Sequence, residues 1–192
     1  MNFQHTEDRR MLADSLNRFL SEKNSIERRH ISAEGHFGYS KEVYAGLAEL
    51  GTIGALFPED AGGFGGTGFD VSVVFECLGR NLAVEPLLGA LVVGQALIAA
   101  GTDAQRAQLE AIVAGGTVAA LAHDEPGSHY ELTHVAMTAT QTTNGWVLNG
   151  AKAVVPMGDS ADLLLVSART SGNAQDADGI SLFLVPGTAA GL

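Results

Sequence analysis

The sequence predicts an α+β chain of two domains, an all-α helical bundle over residues 1–116 followed by an antiparallel, β-barrel-like domain over residues 117–192. Apolar residues recur at helical spacing as far as Val113, and Gly115-Gly116 then ends the last helical pattern. From Thr117 onward short runs rich in β-branched and small residues alternate with turn signals, which is the pattern of strands. Hydrophobic residues make up 46% of 192 residues and charged ones 17%, so a core can be buried and disorder is excluded.

In the first domain, Thr6 is placed to cap a helix whose first turn carries Glu7 and Asp8, where the helix dipole favours anions. Leu12, Leu16, Phe19 and Leu20 mark its inner face. Ser40 caps a second helix, with Val43, Tyr44, Leu47 and Leu50 inward and Gly51 as the stop. Asp70 caps a third, with Val71, Val74, Phe75, Leu78 and Leu82 on one side. Pro86 opens a fourth and Gly101 closes it. That helix is apolar nearly all round, from Leu87 to Ile98, and is expected to be central and wholly buried. Thr102 and Gln105 form a capping box for a fifth helix through Leu109 to Val113. In the second domain the expected strands are Val118–His123, Thr133–Thr140, Gly145–Leu148, Ala151–Val155, Asp162–Ala168 and Ile180–Val185. Asn144-Gly145 and Asn149-Gly150 are turn dipeptides, and the second is expected to be a hairpin turn presenting Lys152 and Val154 to Pro156. Ser171 to Asp178 reads as an exposed loop, and the sheet ends at Leu192 with an open edge, which points to truncation or to a partner that completes it.

The net charge of −11, from 22 acidic and 11 basic residues, argues against a general nucleic-acid binder, which needs cationic surface. A single cysteine, Cys77, rules out an internal disulfide and fits a reducing compartment. The polar stretch Met1 to Arg10 is no secretory signal, and the apolar run Pro86 to Ala100 is too short to span a bilayer; the expected location is cytoplasmic.

Gly63-Phe64-Gly65-Gly66-Thr67-Gly68 matches G-x-G-x-x-G, but a dinucleotide loop needs a strand before it and a parallel strand after the next helix. Pro58 to Ala61 intervenes and another helix follows, so an interhelical loop is expected. His123, Asp124, Glu125, His129, Glu131 and His134 crowd one segment without any metal-ligand spacing, so no metal site is assigned. Ser128-His129 lacks a nucleophile elbow. Cys77 falls in an apolar helical pattern and Trp146 in a hairpin; both are expected to pack inward.

Taken in order, several segments resemble the acyl-CoA dehydrogenase family. They are Leu47-Ala48-Glu49-Leu50-Gly51, Pro58-Glu59-Asp60-Ala61-Gly62-Gly63, and Glu76-Cys77-Leu78-Gly79-Arg80. Glu125-Pro126-Gly127, Gly145 to Lys152, Ala161-Asp162 and Val166 to Thr170 continue the series. Within the family, Ala122 to Leu132 and Lys152-Ala153-Val154-Val155 are most similar to small subunits of pimeloyl-CoA dehydrogenases. The resemblance implies a helical N-terminal domain, a middle β domain that cradles FAD and is truncated here, and a C-terminal helical domain absent from these 192 residues. It implies α,β-dehydrogenation of a fatty or dicarboxylic acyl-CoA, with hydride transfer to the flavin. It also implies assembly with like or unlike acyl-CoA dehydrogenase subunits, and an electron-transfer acceptor. No catalytic residue carries over, since the family's base is a glutamate of the absent domain. The isolated fragment is therefore expected to be inactive.

The resemblance places cofactor contacts at His123, Asp124, His129, Tyr130, Val154, Val155 and Pro156. Asp124 stands where the family often has threonine, Tyr130 where it has serine, and Val154-Val155-Pro156 where it has W-x-T. An acidic Asp124 opposes a reduced, anionic flavin. Pro156 offers neither N–H nor hydroxyl. Backbone contacts from His123 and Val155 carry over. A partner subunit that has lost flavin contacts, and a nicotinamide enzyme using the glycine loop, are the two other readings.

Overall fold

The computed structural model describes residues 4–192; residues 1–3, the start of the polar N-terminal stretch, lie outside the described part. The chain forms two compact units that part between Val118 and Ala119.

The first unit is helical: α1 (Glu7–Lys23), α2 (Ile26–Glu34), α3 (Lys41–Glu49), α4 (Gly68–Arg80), α5 (Leu87–Ala100), α6 (Asp103–Arg106) and α7 (Gln108–Val113). Thr6, Ser25 and Ser40 cap α1, α2 and α3 by accepting from the N–H three residues on. The cap of α4 is Thr67 rather than Asp70. Asp70 sits at the third helical position, where its carboxylate accepts from Thr67 N–H and closes a capping box. It also takes Arg9 Nε at 2.6 Å, tying α1 to α4. Pro86 is the residue before α5 rather than its first turn. The Thr102–Gln105 box is present, but the helix it opens breaks at Ala107 into α6 and α7. Helix α2 has no expected counterpart, because it buries no residue and leaves Ile26 and Ile31 exposed. Without a buried stripe there is no apolar period to read.

Leu16, Leu20, Leu47, Phe57, Leu87 and Val93 are fully buried, each worth about 2 kcal/mol of transfer free energy. Phe57 lies against Gly94, where any Cβ would overlap its ring. Helix α5 is not wholly enclosed: Leu87, Ala90, Val93, Gly94 and Leu97 are buried, whereas Leu88 is 56% exposed. The glycine loop before α4 is interhelical. The N–H groups of Gly63, Phe64, Gly65 and Gly66 donate to carbonyls of residues 54 to 58, so the loop consumes the amides a phosphate would need.

The second unit is a five-stranded sheet of β1 (Ala119–Ala122), β2 (Thr138–Thr142), β3 (Gly145–Asn149), β4 (Leu163–Arg169) and β5 (Ile180–Pro186). Its pairing is mixed. β1 runs parallel to β4, β2 meets β4 in parallel at Thr138–Arg169, and the β2–β3 and β4–β5 pairs are antiparallel. The sheet is not closed. β4 is buried along its whole length, on both faces. Alternation along it then sorts the faces: Leu164 and Val166 join Ala120 and Ala122 in an apolar cluster. Leu163, Leu165, Ser167 and Arg169 share the opposite parity.

Several local expectations fail in this unit, and β2 begins at Thr138 rather than at Thr133. Residues 151–155 form no strand, and Asn149-Gly150 is a strand exit rather than a hairpin turn. Gly150 is needed because a Cβ there would sit 2.8 Å from Met137 Cα, and its φ is 152°. The hairpin turn is Thr143-Asn144, between paired Thr142 and Gly145. Trp146 is 47% exposed, tilted 60° against Phe183 with ring centres 5.4 Å apart, rather than packed inward. No helix among the described residues is long and apolar enough to cross a membrane.

Candidate functional site

Strand β1 delivers the chain at Ala122 into an irregular segment, His123 to His134, and β3 delivers it at Asn149 into a second, Gly150 to Asp162. These are the two segments that carry every residue assigned to the cofactor from sequence. Three bonds hold them together, and a fourth ties Lys152 to β4. Ala153 N–H donates to Asp124 O at 2.8 Å. Lys152 Nζ donates to His123 O at 3.0 Å, to Glu125 Oε1 at 2.8 Å and to Ser167 Oγ at 2.9 Å. The side chains of Lys152 and Glu125 are 6% and 5% exposed. Glu125 also accepts from the N–H groups of Ala136, at 2.7 Å, and Met137, at 3.0 Å.

Burial opposes ionisation of Glu125. The Lys152 hydrogen bond, the two backbone N–H donors and the Lys152 charge outweigh it, and they hold the carboxyl below its ordinary range. Glu125 thus favours its charged form and anchors the first segment, and Lys152 is the strut between the segments. His123 joins the same network, its Nδ1 lying 3.0 Å from Ser167 Oγ.

Backbone strain concentrates in the same place. Of the five non-glycine residues with positive φ among the described residues, four lie in these segments: His129 (47°), Tyr130 (66°), Val154 (50°) and Met157 (59°). Valine rarely enters this region, because its branched Cβ crowds the backbone. Val154 is also 84% exposed and Tyr130 88%, so neither conformation is compensated by burial of its own side chain.

The sequence-assigned residues are therefore distributed unevenly. Asp124, Val154, Val155 and the His123 carbonyl lie where the two segments are bonded together. His129 and Tyr130 lie in an exposed turn closed by Glu131 N–H to Ser128 O. Pro156 opens the turn after Val155, whose side chain packs on the apolar cluster of Ala120, Ala122, Leu164 and Val166. Ser167 and Arg169 were not singled out by sequence. Arg169, 6% exposed, donates to the carbonyls of Thr133, Val135, Ala174, Asp176 and Asp178, and so gathers two loops around the end of β4. Their sequence signals are membership of the Val166–Thr170 resemblance segment, with no role attached, and polar residues at alternate positions of an otherwise apolar strand. Among the described residues no group of three metal-ligating side chains converges.

The family model of the acyl-CoA dehydrogenase N-terminal domain matches residues 6–116, and that of the acyl-CoA dehydrogenase middle domain matches residues 120–192. The chain belongs to the acyl-CoA dehydrogenase family. It is 28% identical to (2S)-methylsuccinyl-CoA dehydrogenase of Cereibacter sphaeroides, over 96% of this chain and 34% of that protein. It is 30% identical to mitochondrial isovaleryl-CoA dehydrogenase of Pongo abelii, over 94% of this chain and 44% of that protein. Among solved structures, the ChsE4-ChsE5 complex from Mycobacterium tuberculosis superposes with a TM-score of 0.83 at 25% identity, covering 100% of this chain and 50% of that one. The Tcur3481-Tcur3483 steroid ACAD superposes with a TM-score of 0.82 at 26% identity, with the same coverages. The chain thus spans half or less of the length of these acyl-CoA dehydrogenase relatives.

Proposed function

We propose that this chain supplies the flavin-holding part of an FAD-dependent acyl-CoA dehydrogenase, working within a longer protein or an assembly of acyl-CoA dehydrogenase subunits. The observation that carries the reading is the coincidence of three things in the segments at His123–Tyr130 and Lys152–Met157. They contain the residues the family resemblance assigns to cofactor, a buried Lys152–Glu125 pair that joins them, and most of the non-glycine backbone strain. Rigid support beneath an irregular, exposed backbone suits a cofactor-holding loop. Bound FAD would accept a hydride from the β-carbon of the acyl thioester; the protein's part is placement and electrostatics. In this chain the backbone of the His123-Asp124 and Val154-Val155 segments would hold the cofactor, with Lys152 and Glu125 fixing their spacing. The acyl-CoA and an electron-transfer acceptor are the partners that follow from this reading, and the α-carbon base would come from outside these residues. The proposed compartment is the cytoplasm.

Asp124 and Pro156 support a second reading, a partner subunit of a heteromeric dehydrogenase with weakened flavin binding. Asp124 places a carboxylate where a hydroxyl donor is expected, and Pro156 has no N–H. Titration of the chain with FAD separates the two. The first reading predicts saturable binding that tightens in Asp124→Thr, which removes the charge and restores a hydroxyl. No FAD binding by the wild type, alone or with acyl-CoA dehydrogenase partner subunits, would favour the second.

A further inference from the structure

The hydrogens in the cluster beneath the His123 loop can be counted. The Lys152 ammonium has three N–H donors and three acceptors: Glu125 Oε1, Ser167 Oγ and His123 O, at 2.8, 2.9 and 3.0 Å. It can accept nothing. Ser167 is fully buried, so its hydroxyl has no water to turn to. Its oxygen accepts from Lys152, and its single proton needs an acceptor. His123 Nδ1 lies 3.0 Å away. If Nδ1 carried the proton, it would donate to Ser167 Oγ and leave the buried hydroxyl hydrogen without a partner. A buried donor left unpaired is disfavoured by about tenfold or more. The proton therefore resides on Nε2.

We propose that the Lys152–Ser167 pair locks His123 as the neutral Nε2–H tautomer. His123 then serves as a fixed hydrogen-bond donor to a carbonyl oxygen or ring nitrogen of the ligand held by the 123–125 and 152–156 segments. The ligand half of this inference rests on the flavin reading. No hydrogen bond to Nε2 occurs among the described residues, and the side chain is half-buried in the loop. A neutral donor suits this position beside Asp124: it offers a proton to an acceptor atom without adding charge. Lys152 and Ser167 are positioning residues, acting only through His123.

The test is the imidazole nitrogen spectrum of the 15N-labelled chain at neutral pH. The lock predicts a protonated Nε2 and an unprotonated Nδ1 for His123. It predicts that Ser167→Ala raises the Nδ1–H population about tenfold or more. A wild-type Nδ1–H tautomer, a wild-type imidazolium, or a Ser167→Ala spectrum identical to wild type would overturn the lock. FAD is then the probe for the ligand half. His123→Leu is expected to lose about tenfold in FAD affinity, and His123→Gln, whose amide both accepts from Ser167 and donates outward, is expected to restore it. Equal FAD affinity in wild type, His123→Leu and His123→Gln would overturn the donor role. A wild type that shows the lock yet binds no FAD would uphold the tautomer assignment and overturn the flavin reading instead.

Discussion

Replacing Lys152 with Met keeps an unbranched, flexible side chain, one heavy atom shorter, and removes the ammonium. Glu125 would stay buried with its Ala136 and Met137 N–H donors but without its counter-ion. Ser167 Oγ and His123 O would each lose a donor. Breaking a buried ion pair by removing one partner costs about 3–5 kcal/mol. The two surviving backbone donors place the loss at the lower end, about 3 kcal/mol. Urea unfolding followed by the fluorescence of Trp146, the single tryptophan, reports on the sheet unit directly. With a slope of about 2 kcal/mol/M, the midpoint should fall by about 1.5 M. The pH dependence gives a second signature. In the wild type the folded Glu125 has a depressed pKa, so its contribution is present above the unfolded value of 4.5 and is lost as pH falls through the lower, folded one. Without Lys152 that contribution shrinks, and the gap between wild type and Lys152→Met should narrow as pH falls below 4.5. A loss under about 1 kcal/mol, typical of an exposed pair, or a gap independent of pH, would refute the reasoning.

Glu85 behaves in the opposite sense. Burial raises its pKa above 4.5, its backbone hydrogen bonds only partly offset this, and one buried carboxylate oxygen lacks a partner. Its penalty grows as pH rises through 4.5, so Glu85→Gln should stabilise the chain by about 1 kcal/mol at neutral pH; thermal melts at neutral and acid pH check this, the gain fading in acid. Arg169→Lys can supply three donors for five carbonyls and should cost at least about 2 kcal/mol, with faster amide exchange in residues 171–179. Val154→Gly removes strain at φ 50° while giving up no buried contact, and should raise stability by about 1 kcal/mol; an unchanged or lowered unfolding midpoint would mean that the strain is not stored there.

Wherever one face of an element is buried, the sequence was legible. The caps Thr6, Ser40 and Thr102 and the strand β4 fall as expected, because capping chemistry and an unbroken apolar run are local signals. Helix α2 carries no legible signal, since it buries nothing, and the glycine run before Thr67 masks its capping role. Residues 151–155 carry strand-forming side chains yet form no ladder. Lys152 and Ala153 are engaged by His123 O, Glu125 and Asp124 O, so tertiary bonds override β propensity. The two segments of the candidate site were legible as segments through family resemblance. Their support was not, because Ser167 is remote in sequence from both Lys152 and His123. A single polar residue in an apolar strand does not say what it faces.

The account's central claim is that these two segments hold a flavin for acyl-CoA oxidation. Purifying the protein encoded by its natural gene, with any dehydrogenase subunit that copurifies, and adding acyl-CoAs without oxygen tests it most directly. The expected result is bound FAD whose visible absorbance bleaches on adding an acyl-CoA, with retention weakened by Lys152→Met. A preparation that holds no FAD, or whose flavin no acyl-CoA reduces, would contradict it.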